Sequence, residues 1–432
     1  MSDLHVKYLL VGGGPASSAA ALAIRSVDHD GPVLWVSREV ARPYHRPLLA
    51  RQFLRGQVSY DQLFTLPPTW FDDNRVQLRT GQRVSALDPN RSAIILESGE
   101  TIAFDNALLA LGATPRHLNI PGAQWPNVLY LRTIDDAQRI HNTVEKSKAE
   151  GRPHGGGRGR TTVIGAGRLG IELAASLRQL GLAVDLVCDK PHPWAKVGGE
   201  TIGKFIARYF ERKGVTVHTD CTATRLEGDG RAQRVVLSNG ETIDTDFVVA
   251  AIGIVPNKEL LRNTPVQAEK AILTDARCRT NIGNVFAAGD CAAVFDPIYE
   301  KHRLMDQWQM AEASGRVAGL NMAGQSVEMS EVAYLKSEMF DLTLQSWGDA
   351  RFVHHRLVRG SPTLDAPHFA EIGISEDGRV AQVVCVGEPE DEAIFARLVK
   401  GRVAVNGNAE QLKDPNVPLS RVLDLPAGDD RG

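Results

Sequence analysis

The chain of 432 residues and 47.0 kDa exceeds what one ordinary hydrophobic core serves, so two or three domains are expected. Its 43% hydrophobic and 23% charged composition is that of a globular protein, and a formal net charge of −3 gives no electrostatic ground for nucleic-acid binding. Met1–Lys7 holds no basic segment leading into an apolar run, and no segment approaches the roughly 18 apolar residues of a bilayer span, so a cytoplasmic protein with no membrane partner is expected. Cys188, Cys221, Cys278, Cys291 and Cys385 form no C-x-x-C pair, which argues against a metal cage or a dithiol centre and for five reduced structural thiols.

In chain order, Val6–Val11 runs into Gly12–Ile24, and Thr161–Ile164 runs into Gly165–Leu180. Each is an apolar strand, a glycine-rich turn and an Ala-rich helix, so one nucleotide-binding unit occurs twice. Glu150–Arg160, EGRPHGGGRGR, has nothing to bury and reads as an exposed connection. Val76–Val84, Ala93–Leu96, Val215–Val217 and Arg234–Leu237 read as short strands of flanking sheets. A helix is expected over Asp306–Met322, and Val332–Val405 mixes strands with a helix around Glu390–Lys400. The tail Asp414–Gly432 reads as poorly ordered. The expected fold is α/β, with two Rossmann-like nucleotide-binding domains of three-layer ββα type and a C-terminal α+β domain.

In the first turn, Gly12 permits the tight bend, Gly14 lets backbone N–H groups approach a pyrophosphate, and the small Ser17 lets the helix pack on its strand. The second turn, Gly165-Ala166-Gly167-Arg168-Leu169-Gly170, keeps all three glycines. An acid near the end of the second strand accepts hydrogen bonds from a ribose; Glu39 and Asp189 stand there. Asp189 favours NADH by repelling a 2′-phosphate, whereas Lys190 and His192 would welcome one, so NADPH stays open.

Phe286-Ala287-Ala288-Gly289-Asp290 resembles the second flavin-binding signature of the pyridine-nucleotide–disulfide oxidoreductase superfamily, which implies FAD in the first unit with Asp290 on its ribityl chain. Leu109–Arg116, around Gly112, and Ala250–Asn257, around Gly253, resemble that superfamily's two A-x-G hinges. Pro43-Tyr44-His45-Arg46-Pro47-Leu48-Leu49-Ala50-Arg51 resembles a segment shared by oxygenase-coupled ferredoxin reductases and apoptosis-inducing factor, Ser337–Gln345 resembles one of the reductases' C-terminal domain, and Ala288–Asp296 and Ser314–Met322 are closer to apoptosis-inducing factor. The implied domains are residues 1–132 and 256–325 for FAD, 133–255 for NAD(P)H, 326–405 as the C-terminal domain and 406–432 as a tail.

The resemblance implies hydride transfer from nicotinamide to flavin, then electrons to an iron–sulfur protein such as ferredoxin, a quinone or another small molecule. The alternative it leaves is an NADH sensor of apoptosis-inducing-factor type, whose charge-transfer complex controls assembly. The family Lys beside the flavin maps to Arg51 and its carboxylate partner to Glu172, an expected ion pair; Arg46 and Arg51 join the cofactor contacts. Arg51 also takes the place of the redox cysteine in relatives that reduce peroxide or CoA disulfide, arguing against those activities. A helix N-terminus at the flavin is expected near Asp306 as N-cap, with Gln307 and Trp308 against the cofactor. Lys336 stands where relatives carry a Trp, with Trp70 or Trp347 as substitutes for it. A homodimer through the C-terminal domain is implied at family level.

Overall fold

The computed structural model describes residues 4–149, 159–365, 367–387, 392–405 and 407–422. Most of the expected connection at 150–160, the start of the helix expected at Glu390 and the tail beyond 422 lie outside the described residues. The chain divides into two compact units.

The first unit comprises Met1–His45, Tyr60–Thr114 and Ile254–Glu331. Its principal sheet runs in the order Val76–Arg79, Val33–Val36, Leu4–Val11, Thr101–Leu109, Ala93–Leu96, Val84–Asp88, with Val285–Ala287 also paired to Thr101–Leu109. The first four strands are parallel, and all of Val33–Val36 is buried, as a Val/Leu/Trp run covered on both faces should be. Val11 stands level with Val36 and with Leu109, so Gly12 leaves the sheet at the carboxyl ends of its central strands. Val76–Val84 is not one strand: Gly81, at φ +68°, turns the chain between Val76–Arg79 and Val84–Asp88.

Helix Pro15–Val27 packs along helix Trp308–Met322 through their small residues. A Cβ at Gly315 would come within 2.1 Å of the Ala16 carbonyl oxygen, and one at Gly319 within 2.5 Å of that of Ala20. That closeness explains the Ala-rich sequence of the first helix.

The second unit comprises Arg46–Ser59, Pro115–Gly253 and Val332–Gly432. Its parallel sheet has the order Val215–His218, Ala183–Val187, Arg160–Ile164, Phe247–Ala250, Val128–Leu129. Ile164 is level with Val187 and Ala250, so Gly165 repeats the position of Gly12. An antiparallel sheet, Ala223–Glu227, Arg234–Leu237 and Thr242–Asp244, lies beside it. The C-terminal sheet is antiparallel, ordered Tyr334–Met339, Leu342–Gly348, Val380–Val386, His368–Ile374, His355–Ser361, with helix Glu392–Lys400 against its centre. Buried Glu371 ties it to helix Glu200–Arg212, accepting hydrogen bonds from the N–H groups of Gly199 at 2.6 Å and Ile202 at 3.0 Å.

Candidate functional site

In the first unit, Gly12 takes φ +128°, and a Cβ there would lie 2.0 Å from the Ala110 carbonyl oxygen. Only glycine passes this point. A Cβ at Gly14 would meet no atom within 4 Å, so that glycine answers to no packing need inside the protein and leaves the turn open. Gly14 is the N-cap of helix Pro15–Val27 without a side-chain cap, and the first turn holds no acid, which suits an anion. Ser17 is fully buried with its Oγ unpartnered, in keeping with a residue chosen for size.

Glu39 lies three residues beyond strand Val33–Val36 and accepts a hydrogen bond from Tyr44 Oη at 2.6 Å. Asp290 is partly exposed in the turn Gly289–Cys291, which follows Val285–Ala287. Cys291 beside it is buried, its Sγ donating to the Leu109 carbonyl at 3.3 Å, and burial pushes the thiol up to about 12. It is a packing residue. The later helix starts at Trp308, not Asp306; its N-cap is Gln307, so Asp306 falls one residue short of the cap position. Gln307 Oε1 is buried and has no partner. Half-buried Trp308 lies 5.5 Å from the His45 ring. Gly112 adopts φ +67°, and its carbonyl accepts from Asn257 N at 2.9 Å.

The second unit repeats the turn. Gly165, at φ +105°, would place a Cβ 2.5 Å from the Ala251 carbonyl oxygen, and Gly170 one 1.8 Å from the Gly165 carbonyl oxygen. Gly167, like Gly14, has nothing within 4 Å and caps helix Arg168–Gln179 with no side-chain bond. Asp189 is exposed two residues past strand Ala183–Val187, with Lys190 Nζ 3.4 Å away. Half-buried His192 has its Nδ1 3.0 Å from the Pro193 carbonyl oxygen. Gly253 takes φ +108°, its carbonyl accepting from Arg116 N at 2.8 Å.

A charged cluster gathers three distant segments of this unit. Arg51, on the single wide turn Leu49–Phe53, donates from Nε to the Pro47 carbonyl at 3.0 Å and from Nη1 to Glu338 Oε2 at 2.8 Å. Glu172, 6% exposed, accepts from Ser337 Oγ at 2.7 Å. Burial pushes its carboxyl up, against the pull of Arg168 and Arg51 and the Ser337 hydrogen bond. The expected Arg51–Glu172 ion pair therefore gives way to two separate partnerships. Adjacent positions of strand Tyr334–Met339 diverge, and each takes one of the two groups.

Lys336 Nζ lies 3.7 Å from Glu338 Oε1 on the same strand. Trp347 does not replace the missing ring, because it is buried between Tyr334 and Phe395 in the C-terminal sheet. Trp70 packs on Phe71 in the first unit. Arg46 Nη1 donates to the Arg132 carbonyl at 2.8 Å. Sequence reasoning gave Ser337, Glu338 and Arg168 no role; the alternation of strand Tyr334–Met339, which puts Lys336 and Glu338 on one face, was the available signal.

The model of the pyridine nucleotide-disulphide oxidoreductase family matches residues 6–315. The chain belongs to that family. A reductase C-terminal domain matches residues 334–423. Rhodocoxin reductase of Rhodococcus erythropolis is 31% identical over 421 residues, 97% of this chain and 94% of the relative. The ferredoxin–NAD(+) reductase component of the anthranilate 1,2-dioxygenase system of Burkholderia cepacia is 28% identical over 416 residues, 96% of this chain and 99% of the relative. The crystal structure of a ferredoxin reductase from Rhodopseudomonas palustris superposes with a TM-score of 0.88 at 26% identity, covering 96% of this chain and 99% of that one.

This member of the pyridine nucleotide-disulphide oxidoreductase family is an NAD(P)H-dependent flavoprotein oxidoreductase whose cofactors are FAD and NADH. Its residues fit both: each unit carries an uncapped turn with an open middle glycine, and the first adds the unsatisfied Gln307 amide oxygen. The alternative of a sensor of apoptosis-inducing-factor type finds no support, since these relatives are reductases along nearly their whole length. Among the described residues, no helix is long and apolar enough to cross a membrane, and no His, Cys, Asp and Glu cluster forms a metal site.

Proposed function

We propose that this enzyme takes a hydride from NADH and passes single electrons to a small iron–sulfur protein of ferredoxin type. The observation that carries the reading is the pairing of two nucleotide turns with a C-terminal domain of reductase type, in a chain whose full-length relatives are ferredoxin reductases. FAD, when bound, supplies the conversion of a two-electron hydride into single electrons.

In this reading FAD takes the first unit's part of residues 1–132 and 256–325, and NADH takes 133–255 together with 115–132, because Val128–Leu129 already belongs to the second unit's sheet. The C-terminal domain expected over 326–405 continues into helix Ala409–Lys413. Gly12, Gly14 and Ser17 shape the FAD pyrophosphate cradle, Glu39 takes a ribose, Asp290 the ribityl chain, and Gln307 and Trp308 the ring system. Gly165, Gly167, Gly170 and Asp189 do the same for NADH, while Gly112 and Gly253 close the two modules. Arg46, Arg51, Glu172 and Lys336 set the field at the nicotinamide end. Arg51, permanently charged, contributes charge and orientation rather than a proton. A homodimer and a cytoplasmic location belong to the same reading; five buried free thiols support the latter.

Anaerobic stopped-flow mixing with NADH, and separately NADPH, reads the reductive half through flavin bleaching. Steady-state reduction of a ferredoxin reads the other half, with oxygen consumption as the baseline. Ferredoxin turnover well above that baseline is expected. Turnover with quinones or dyes alone would overturn the ferredoxin assignment, and slow reduction with a persistent long-wavelength band would overturn the enzyme.

A further inference from the structure

The departure at Arg51 is matched by a second arrangement on the C-terminal sheet. We propose that Ser337 and Glu338 are positioning residues, holding the Glu172 carboxyl and the Arg51 guanidinium in separate partnerships so that the C-terminal strand sets the charge of this site. The proposal deepens the reading above and rests on it for the assignment of the site to nicotinamide.

Two features of the geometry carry it. The Arg51 side chain is 12% exposed and fixed in two directions, Nε toward Pro47 and Nη1 toward Glu338, which orients a planar guanidinium fully. Glu172 has a hydrogen bond on Oε1 from Ser337 and no ion pair, although Arg168 stands on its own helix and Arg51 nearby. A buried carboxyl so placed keeps a proton more readily than one in a salt bridge.

On the elements packed against the Glu172 helix, exposed Arg160 begins strand Arg160–Ile164, and Arg178, in the last turn of the helix, is taken up by the Lys213 and Leu182 carbonyls. Arg168 lies on the helix itself, Arg51 on the turn Leu49–Phe53, and Lys336 and Glu338 on strand Tyr334–Met339. Asp185 and His218, on strands Ala183–Val187 and Val215–His218, pair with each other at 2.9 Å. Arg55 is engaged further along with Ser176 and Gln179. Among these, Glu338 is the group whose removal frees a cation for Glu172. With Arg51 released, the ionised carboxylate gains a partner and Glu172 binds a proton less tightly.

The test is a pH titration of the holoprotein by difference infrared spectroscopy, with neither NADH nor acceptor present. The protonated-carboxyl band of Glu172 is assigned by its loss in Glu172→Gln. Glu338→Gln should move the titration midpoint toward acid by about one pH unit, a roughly tenfold loss of proton affinity. Ser337→Ala removes a hydrogen bond that favours the ionised form and should move it toward alkali. Opposite shifts, with Glu338→Asp restoring part of the first, establish positioning, because a purely structural role would change unfolding and leave both midpoints in place. Unchanged midpoints in both variants overturn the proposal. The measurement involves no turnover, so failure to reduce ferredoxin would sink the functional reading without touching this result.

Discussion

Two glycines of the second turn separate folding from binding. At Gly170 a Cβ would lie 1.8 Å from the Gly165 carbonyl oxygen; to reach even 3.0 Å the helix must retreat by 3.0 − 1.8 Å, about 1.2 Å. Gly170→Ala should cost about 3 kcal/mol, toward the upper end of overpacking, in a helix already buried from Gly170 to Leu177. Gly167 stands at φ −76°, ψ −172°, which alanine accepts, and its Cβ would meet no protein atom. Gly167→Ala gains about 0.4–1 kcal/mol from a stiffer unfolded chain and loses a comparable amount as a poorer N-cap. Its apoprotein should unfold within about 1 kcal/mol of the parent. NADH affinity should nevertheless fall tenfold or more, about 1.4 kcal/mol, because the new methyl stands where a pyrophosphate approaches. Urea unfolding followed by Trp fluorescence, with an NADH titration of each holoprotein, measures both quantities. Equal destabilisation by the two variants, or undiminished NADH binding by Gly167→Ala, would refute the reasoning.

Three further outcomes are expected. Glu371→Ala strips two N–H acceptors from the start of helix Glu200–Arg212 and leaves Arg356, Nη1 3.6 Å away, without its carboxylate; about 3–5 kcal/mol should be lost, read as faster amide exchange in that helix. The Asp185 carboxylate raises the folded pKa of His218 above its ordinary 6.5, so its stabilisation is complete below that value and lost as pH rises through the raised one; in His218→Asn the fall in urea midpoint as pH rises from below 6.5 should flatten. The cysteines are buried and free, and burial pushes the thiols of Cys188, Cys221, Cys278 and Cys291 up, so a disulfide reagent should label the native protein slowly and the urea-unfolded protein fast.

Legibility in the sequence followed the range of the interactions. Glycine turns, the strands before them and the Ala-rich helices after them were readable because each depends on neighbours within a few residues. Gly12 and Gly165 announce a left-handed φ, and the small residues Ala16, Ala20, Gly315 and Gly319 announce a close helix crossing. Two local expectations fail, for different reasons. Asp306 looked like a cap by analogy, but hydrogen bonding starts the helix at Trp308. Val76–Val84 alternated like one strand, yet Gly81 divides it.

By itself the sequence determined that two dinucleotide turns exist, where they stand and which of their positions tolerate no side chain, because backbone sterics act locally. Only the tertiary structure decided who pairs with Arg51. Glu338 lies 287 positions along the chain, and Ser337 lies 165 positions from Glu172. The family resemblance points Arg51 at Glu172, since a cation, although Arg in place of Lys, and a carboxylate stand at the two positions. The partnership instead follows from which side chains the C-terminal strand presents, a choice made by its alternation and by the cost of burying a carboxylate, and neither is written in the vicinity of Arg51.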